Sequence, residues 1–148
     1  MWLFRTNASW APIFARLALG VIFFAHGAQK LLGLFGGPGW SGAIQGFEEH
    51  LGIPPVLTAI SILTEFFGGI AIILGVLTRL AAIGLTINML VAVYTVHLHN
   101  GFFLNWYCNP PEGGHGFEYN LALIGLSISL LIWGGGNLSI DRGIAGGD

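Results

Sequence analysis

The chain has 148 residues, 54% of them apolar and only 8% charged, with a formal net charge of -2. Soluble domains carry roughly 25% charged residues, so this composition belongs in a bilayer, and five scattered basic residues form no nucleic-acid footprint. Cys108 is the single cysteine, which excludes an internal disulfide, a Cys-x-x-Cys redox pair and a multi-cysteine metal site.

About 20 apolar residues cross the hydrocarbon core as a helix, and four segments have that character within one domain over 1–148. The first runs from about Pro12 to Phe35, with Pro12 suited to a first helical turn. Arg5 and Arg16 give it a basic flank like that of a signal peptide. Its apolar character resumes beyond Lys30, through Leu31, Leu32, Leu34 and Phe35, and no Ala-x-Ala site closes it, so it reads as a retained span. In the loop 36–54, Trp40, Ile44, Phe47 and Leu51 recur at helical spacing. They predict a short interfacial helix whose polar face carries Gln45, Glu48 and Glu49. The second span follows Pro54-Pro55 and continues to Leu77. The third runs from Arg79 to about His99. A loop over 100–116 holds Phe102, Phe103, Trp106 and Tyr107, an aromatic set that suits a lid over the bundle. The fourth span, about Phe117 to Trp133, stops at Gly134-Gly135-Gly136.

Charge orients these spans. Arg5, Arg16, Arg79 and Arg142 fall on one side, and the two long loops on the other side contain no Lys or Arg. The positive-inside rule places both termini in the cytoplasm. Trp2, Trp10 and Trp133 mark the inner interface, and Trp40, Trp106, Tyr107 and Tyr119 the outer one. The expected fold is an all-α, integral-membrane four-helix bundle, N-in/C-in, with a short interfacial helix in the first outer loop. Small residues at Gly68-Gly69, Ala71 with Gly75, and Gly125 with Ser129 are the expected helix contacts.

Ionisable groups inside a span cost a few kcal/mol by insertion scales and mark interior, functional positions. Glu65 lies about 15 Å into the second span, and Asn88 on the third reaches a similar depth. His26 and Lys30 are one turn apart. With Gln29, His97, His99, His115 and Glu118 they define one outer-leaflet polar zone, suited to a polar headgroup beneath an apolar lid. Blander readings stand beside this one. Lys30 can snorkel to the outer headgroups, Glu65 can be a packing group bonded to Asn88 or His26, and Glu118 suits a helix N-terminus by its charge alone. His97 and His99 are two apart and point to different helix faces, a poor pair for one metal, so no metal or haem ligand set is expected.

These residues also carry a family resemblance. The run from His26 to Gly33, the pattern Glu65-Phe66-Phe67-Gly68-Gly69 followed by Gly75-Val76-Leu77-Thr78-Arg79, and His97 with Gly101-Phe102-Phe103 resemble the DoxX family of small prokaryotic membrane proteins. So do Glu118-Tyr119-Asn120-Leu121 and the closing Gly134-Gly135-Gly136 to Ser139-Ile140-Asp141. The family takes its name from a subunit of a thiosulfate:quinone oxidoreductase. The resemblance therefore implies a multi-pass subunit of the prokaryotic inner membrane, linked to quinone redox and packed beside other subunits or copies of itself. Relatives with paired cysteines are tied to thiol chemistry, from which this chain departs. On this implication His26, Gln29, Lys30 and His97 would bind a quinone headgroup, while Glu65 and Glu118 would exchange protons with it. The chain has no flavin, haem or iron–sulfur motif, so electrons would come from a partner. Two rivals remain open: a non-catalytic accessory subunit beside a larger membrane complex, and a small transporter, which the absence of paired broken helices argues against.

Overall fold

The computed structural model describes residues 2–146, and among these all regular structure is helical. The elements are α1 (Ala11–Leu32), α2 (Gly39–Leu51), α3 (Pro55–Leu74), α4 (Thr78–Ala92), α5 (Glu118–Trp133) and α6 (Ile140–Ala145), with 3-10 turns at Trp2–Phe4 and Leu34–Gly36. Beyond Ala92 the α4 ladder loosens into a π turn over Val93–His97 and closes as 3-10 over Leu98–Asn100. Three helical stretches are long and apolar enough to cross a membrane: Ala11–Leu32, Pro55–Leu74 and Thr78–Asn100. The apolar α5 has 16 residues, roughly 24 Å of rise, somewhat short of the hydrocarbon thickness.

Local chemistry sets the ends. Pro12 lies in the first turn of α1 and Pro55 opens α3, where the missing N–H costs no intrahelical bond. Gly33 and Gly75 end these helices in the left-handed conformation, with φ of 70° and 67°. The predicted interfacial helix is α2, and Gln45 and Glu49 pair on its exposed face at 2.7 Å. The core consists of Leu19, Phe23, Ile72, Ala82, Leu85, Met89, Leu123 and Leu130.

α1 lies tightest against α3. A Cβ added to Gly27 would stand 2.5 Å from the Phe66 backbone, and one added to Gly69 would stand 2.5 Å from the Phe24 nitrogen. Gly20 meets Ile73 and the Gly69 carbonyl in the same seam. Backbones approach this closely only through glycine, the packing that serves where lipid supplies no hydrophobic drive. Gly69 fulfils the expected contact role, whereas Gly125 does not. It has nothing within 4 Å of a would-be Cβ, and Ser129 donates its hydroxyl to the Gly125 carbonyl within the helix. Gly27→Ala is therefore expected to destabilise by about 1–3 kcal/mol through overpacking. Gly125→Ala should be neutral or stabilise by up to about 1 kcal/mol. Equilibrium unfolding in mixed micelles checks the pair, and equal effects at both positions would contradict the seam.

The arginines mark one end of the bundle, and there the chain ties itself together. Arg16 is buried, only 3% exposed, and donates to the carbonyls of Ile72, Ile73, Gly135, Asn137 and Leu138 at 2.7–3.4 Å. Arg79 donates to the Arg5 and Ile132 carbonyls, both at 3.0 Å. Asp141 accepts from the Leu77 and Thr78 amides, capping α4, and its own amide donates to the Gly75 carbonyl. Arg16, which the sequence offers only as part of the basic flank of the first span, is the centre of this knot. α2 and the 101–116 loop occupy the opposite end.

Candidate functional site

At the loop end, three helices converge on one carboxylate. Glu65 is 5% exposed along its side chain and lies ten residues into α3, about 15 Å from that helix's start. Lys30, two residues from the end of α1, reaches inward, and its Nζ lies 2.7 Å from Oε1 and 2.6 Å from Oε2 of Glu65. Asn88 of α4 donates Nδ2 to Oε1 at 3.0 Å, with the Ser61 carbonyl 3.5 Å away. Phe47 from α2 covers the ammonium, its ring centroid 5.7 Å from Nζ. This contact joins the interfacial helix to the buried pair through a cation–π interaction, worth about 0.5–2 kcal/mol.

Lys30 therefore turns inward rather than snorkelling, and Glu65 takes Asn88 and Lys30 as partners rather than His26. The charges are compensated in geometry: both carboxylate oxygens accept, and one receives from two donors. One-fifth of the Lys30 side chain nevertheless stays exposed. An ammonium has three N–H groups, so the bonds to the two carboxylate oxygens leave one over. The site is an ion pair whose ammonium has one N–H beyond its two bonds to Glu65, on a side chain that is partly exposed.

The other expected site residues sit elsewhere. His26 is exposed on α1, and among the described residues its ring has no hydrogen-bond partner. Gln29 donates to the Phe35 carbonyl at 3.4 Å and steadies the turn after α1. His97 bonds through Nδ1 to the His115 carbonyl at 2.8 Å, and His115 Nδ1 accepts from the Asn105 amide at 3.1 Å. Glu118 accepts from the Leu104 amide at 2.8 Å and from the Trp106 indole at 3.0 Å. His97, His115 and Glu118 thus organise the loop that follows α4, with Asn105 bonding across it to the Pro110 and Gly113 carbonyls.

That loop is not a lid of inward aromatics. Phe102, Phe103, Trp106 and Tyr107 are exposed, Tyr107 by 93%. The physical reason is the ring of polar contacts, which closes the loop on itself and turns its apolar groups outward. Among the described residues, no three or more His, Cys, Asp or Glu side chains gather as a metal site, and Cys108 is exposed. Phe47 is the residue that sequence reasoning left out of the site. Its signal was its place on the apolar face of the predicted interfacial helix.

Comparison with known proteins gives a consistent picture. The model of the DoxX family matches residues 11–98, which include Lys30, Glu65, Asn88 and the Arg16 anchor. The chain is 32% identical over 130 residues to "Inner membrane protein YqjF" of Escherichia coli (strain K12), covering 86% of this chain and 87% of that protein. It is 29% identical over 126 residues to "Putative oxidoreductase CatD" of Bacillus subtilis (strain 168), covering 85% of this chain and 81% of that one. No solved structure matches the chain significantly.

Proposed function

The chain belongs to the DoxX family, and from that premise we propose that it is an inner-membrane subunit of a quinone-linked oxidoreductase whose Lys30–Glu65–Asn88 centre receives the quinone headgroup. In this reading α5 is the fourth span, the arginine-bearing end faces the cytoplasm, and both termini lie there. The location draws support from the name of YqjF, and the redox assignment from that of CatD.

One observation carries the proposal: an ion pair held by three helices whose partly exposed lysine keeps a third N–H under an aromatic side chain. The residues fit a quinone. Its carbonyl oxygens are acceptors, and Lys30 Nζ has a donor to offer; its flat ring suits the face of Phe47. When bound, a quinone supplies two-electron, two-proton carrier chemistry. Lys30 orients the headgroup, Asn88 holds Oε1 of Glu65 in place, and Glu65 Oε2 is the atom at which a proton is taken up or released. His26, exposed one turn toward the membrane centre, is where a headgroup arriving from the lipid would first meet a polar side chain. Electrons would come from a partner subunit.

A second reading is favoured by the closure of the same site. A carboxylate with both oxygens paired also serves as a static latch between helices, as an accessory subunit would use it. Replacing the pair with apolar groups separates the two. In the complex purified with this subunit, Lys30→Met/Glu65→Leu should lower quinol-linked turnover by about a hundredfold, the scale of a lost proton-transfer group, and remove co-purifying quinone. Wild-type turnover in that variant, with no quinone in lipid extracts of either protein, would leave only the accessory role.

A further inference from the structure

At the arginine end, a cleft of about 460 Å³ is lined by Trp2, Phe4, Arg5, Ile144 and Ala145. Its volume falls in the range of small-molecule sites, roughly 300–1,000 Å³. The cleft lies far from Lys30 and plays no part in the site described above.

Its walls are built rather than incidental. The Trp2–Phe4 turn is closed by a hydrogen bond from the Arg5 amide to the Trp2 carbonyl at 3.2 Å. Arg79 braces that turn twice: Nε donates to the Arg5 carbonyl at 3.0 Å, and its guanidinium stacks 4.8 Å from the centre of the Trp2 ring. The Asn7 amide donates to the Trp133 carbonyl at 3.1 Å and fixes the segment to the end of α5. α6 supplies the facing wall through Ile144 and Ala145.

Among the described residues that line the cleft, Arg5 carries the single charge. Arg16 and Arg79 donate to backbone carbonyls, whereas the exposed guanidinium of Arg5 makes no hydrogen bond among the described residues. The nearby acid among the described residues, Asp141, is 1% exposed, with both oxygens committed to the Leu77 and Thr78 amides. Arg5, with a planar fork of N–H donors unused within the described residues, thus lines a cleft whose other walls include Trp2, Phe4 and Ile144. Such a fork matches phosphate oxygens, and an indole beside it suits the headgroup level of a bilayer.

We infer that this cleft binds the phosphate of an anionic phospholipid, with Arg5 as its ligand and Trp2, Phe4 and Ile144 against the glycerol and upper acyl region. The apolar walls assign the phosphate to a lipid rather than to a soluble anion, because they would otherwise remain against water.

Native mass spectrometry of the delipidated full-length chain, titrated with phosphatidylglycerol and with phosphatidylcholine, tests this. A first phosphatidylglycerol should bind more tightly than phosphatidylcholine. Arg5→Ala should weaken that binding about fivefold, the scale of one membrane-proximal basic residue, and narrow the preference over phosphatidylcholine. Ile144→Glu, which sets a negative charge on the facing wall, should do the same. Thermal melts should match the wild type for Arg5→Ala, since its guanidinium holds no internal bond. Equal affinity for the two lipids, or phosphatidylglycerol binding unchanged in both variants, overturns the site. Displacement of phosphatidylglycerol by inorganic phosphate that itself binds the delipidated protein overturns the lipid assignment.

Discussion

Lys30→Ala is expected to destabilise the protein by about 3–5 kcal/mol, because it leaves the Glu65 carboxylate buried without its cation. Glu65→Ala should cost a similar amount by stranding Lys30 against Phe47. The double variant Lys30→Met/Glu65→Leu should recover most of that loss, since desolvating two charges offsets much of their attraction and well-packed apolar groups often replace such a pair at little cost. A double-mutant cycle measured by unfolding in mixed micelles reads the coupling directly. Additive single-variant effects would mean that the two side chains do not meet. The recovery matters for function as well as stability, because it yields a folded protein without the charged centre, in which lost turnover cannot be assigned to misfolding.

Arg16→Ala is expected to have an effect of comparable size, at least about 3 kcal/mol. The guanidinium joins the end of α3, through the Ile72 and Ile73 carbonyls, to the 135–138 turn through three more. Hydrogen bonds from a charged donor contribute about 1.5–3 kcal/mol each, and carbonyls stranded without partners add a penalty. Arg16→Lys should recover only part of the loss, because an ammonium on a single stem cannot span acceptors on both sides of its position. The readout is the unfolding free energy, with limited proteolysis after Trp133 reporting release of α6. Wild-type stability for Arg16→Ala would show that the knot is incidental to the fold.

Much of this architecture was legible in the residues. The apolar runs located the long helices, and Trp40, Ile44, Phe47 and Leu51 predicted α2 within a residue or two. Depth along the helices put Glu65 and Asn88 at one level, with Lys30 in the polar zone toward the outer side of them. Rotation about the helix axes was not legible. His26 and Lys30 share a face by spacing, yet the close seam of Gly20 against Gly69 and of Gly27 against Phe66 turns Lys30 toward α3 and leaves His26 exposed. Which glycines touch depends on the pairing of helices, so Gly69 and Gly125 look alike in sequence and behave oppositely in space. The role of Arg16 was not legible for a related reason. Its partners lie 56 to 122 residues away and are backbone carbonyls, which no side-chain pattern announces. Glu118 and His97 carried the chemistry of a site but serve a loop, because Leu104, Trp106 and His115 offer them local partners.

The central claim is that the third N–H of the Lys30 ammonium takes a quinone headgroup rather than closing permanently on Glu65. An experimental density map of the protein in a bilayer containing the native quinone pool tests it most directly. The account predicts a flat density beside Phe47, with an oxygen within hydrogen-bond distance of Lys30 Nζ and Glu65 still held by Asn88. A map with Phe47 closed over the ion pair and no density between Lys30, Glu65 and His26 would contradict it.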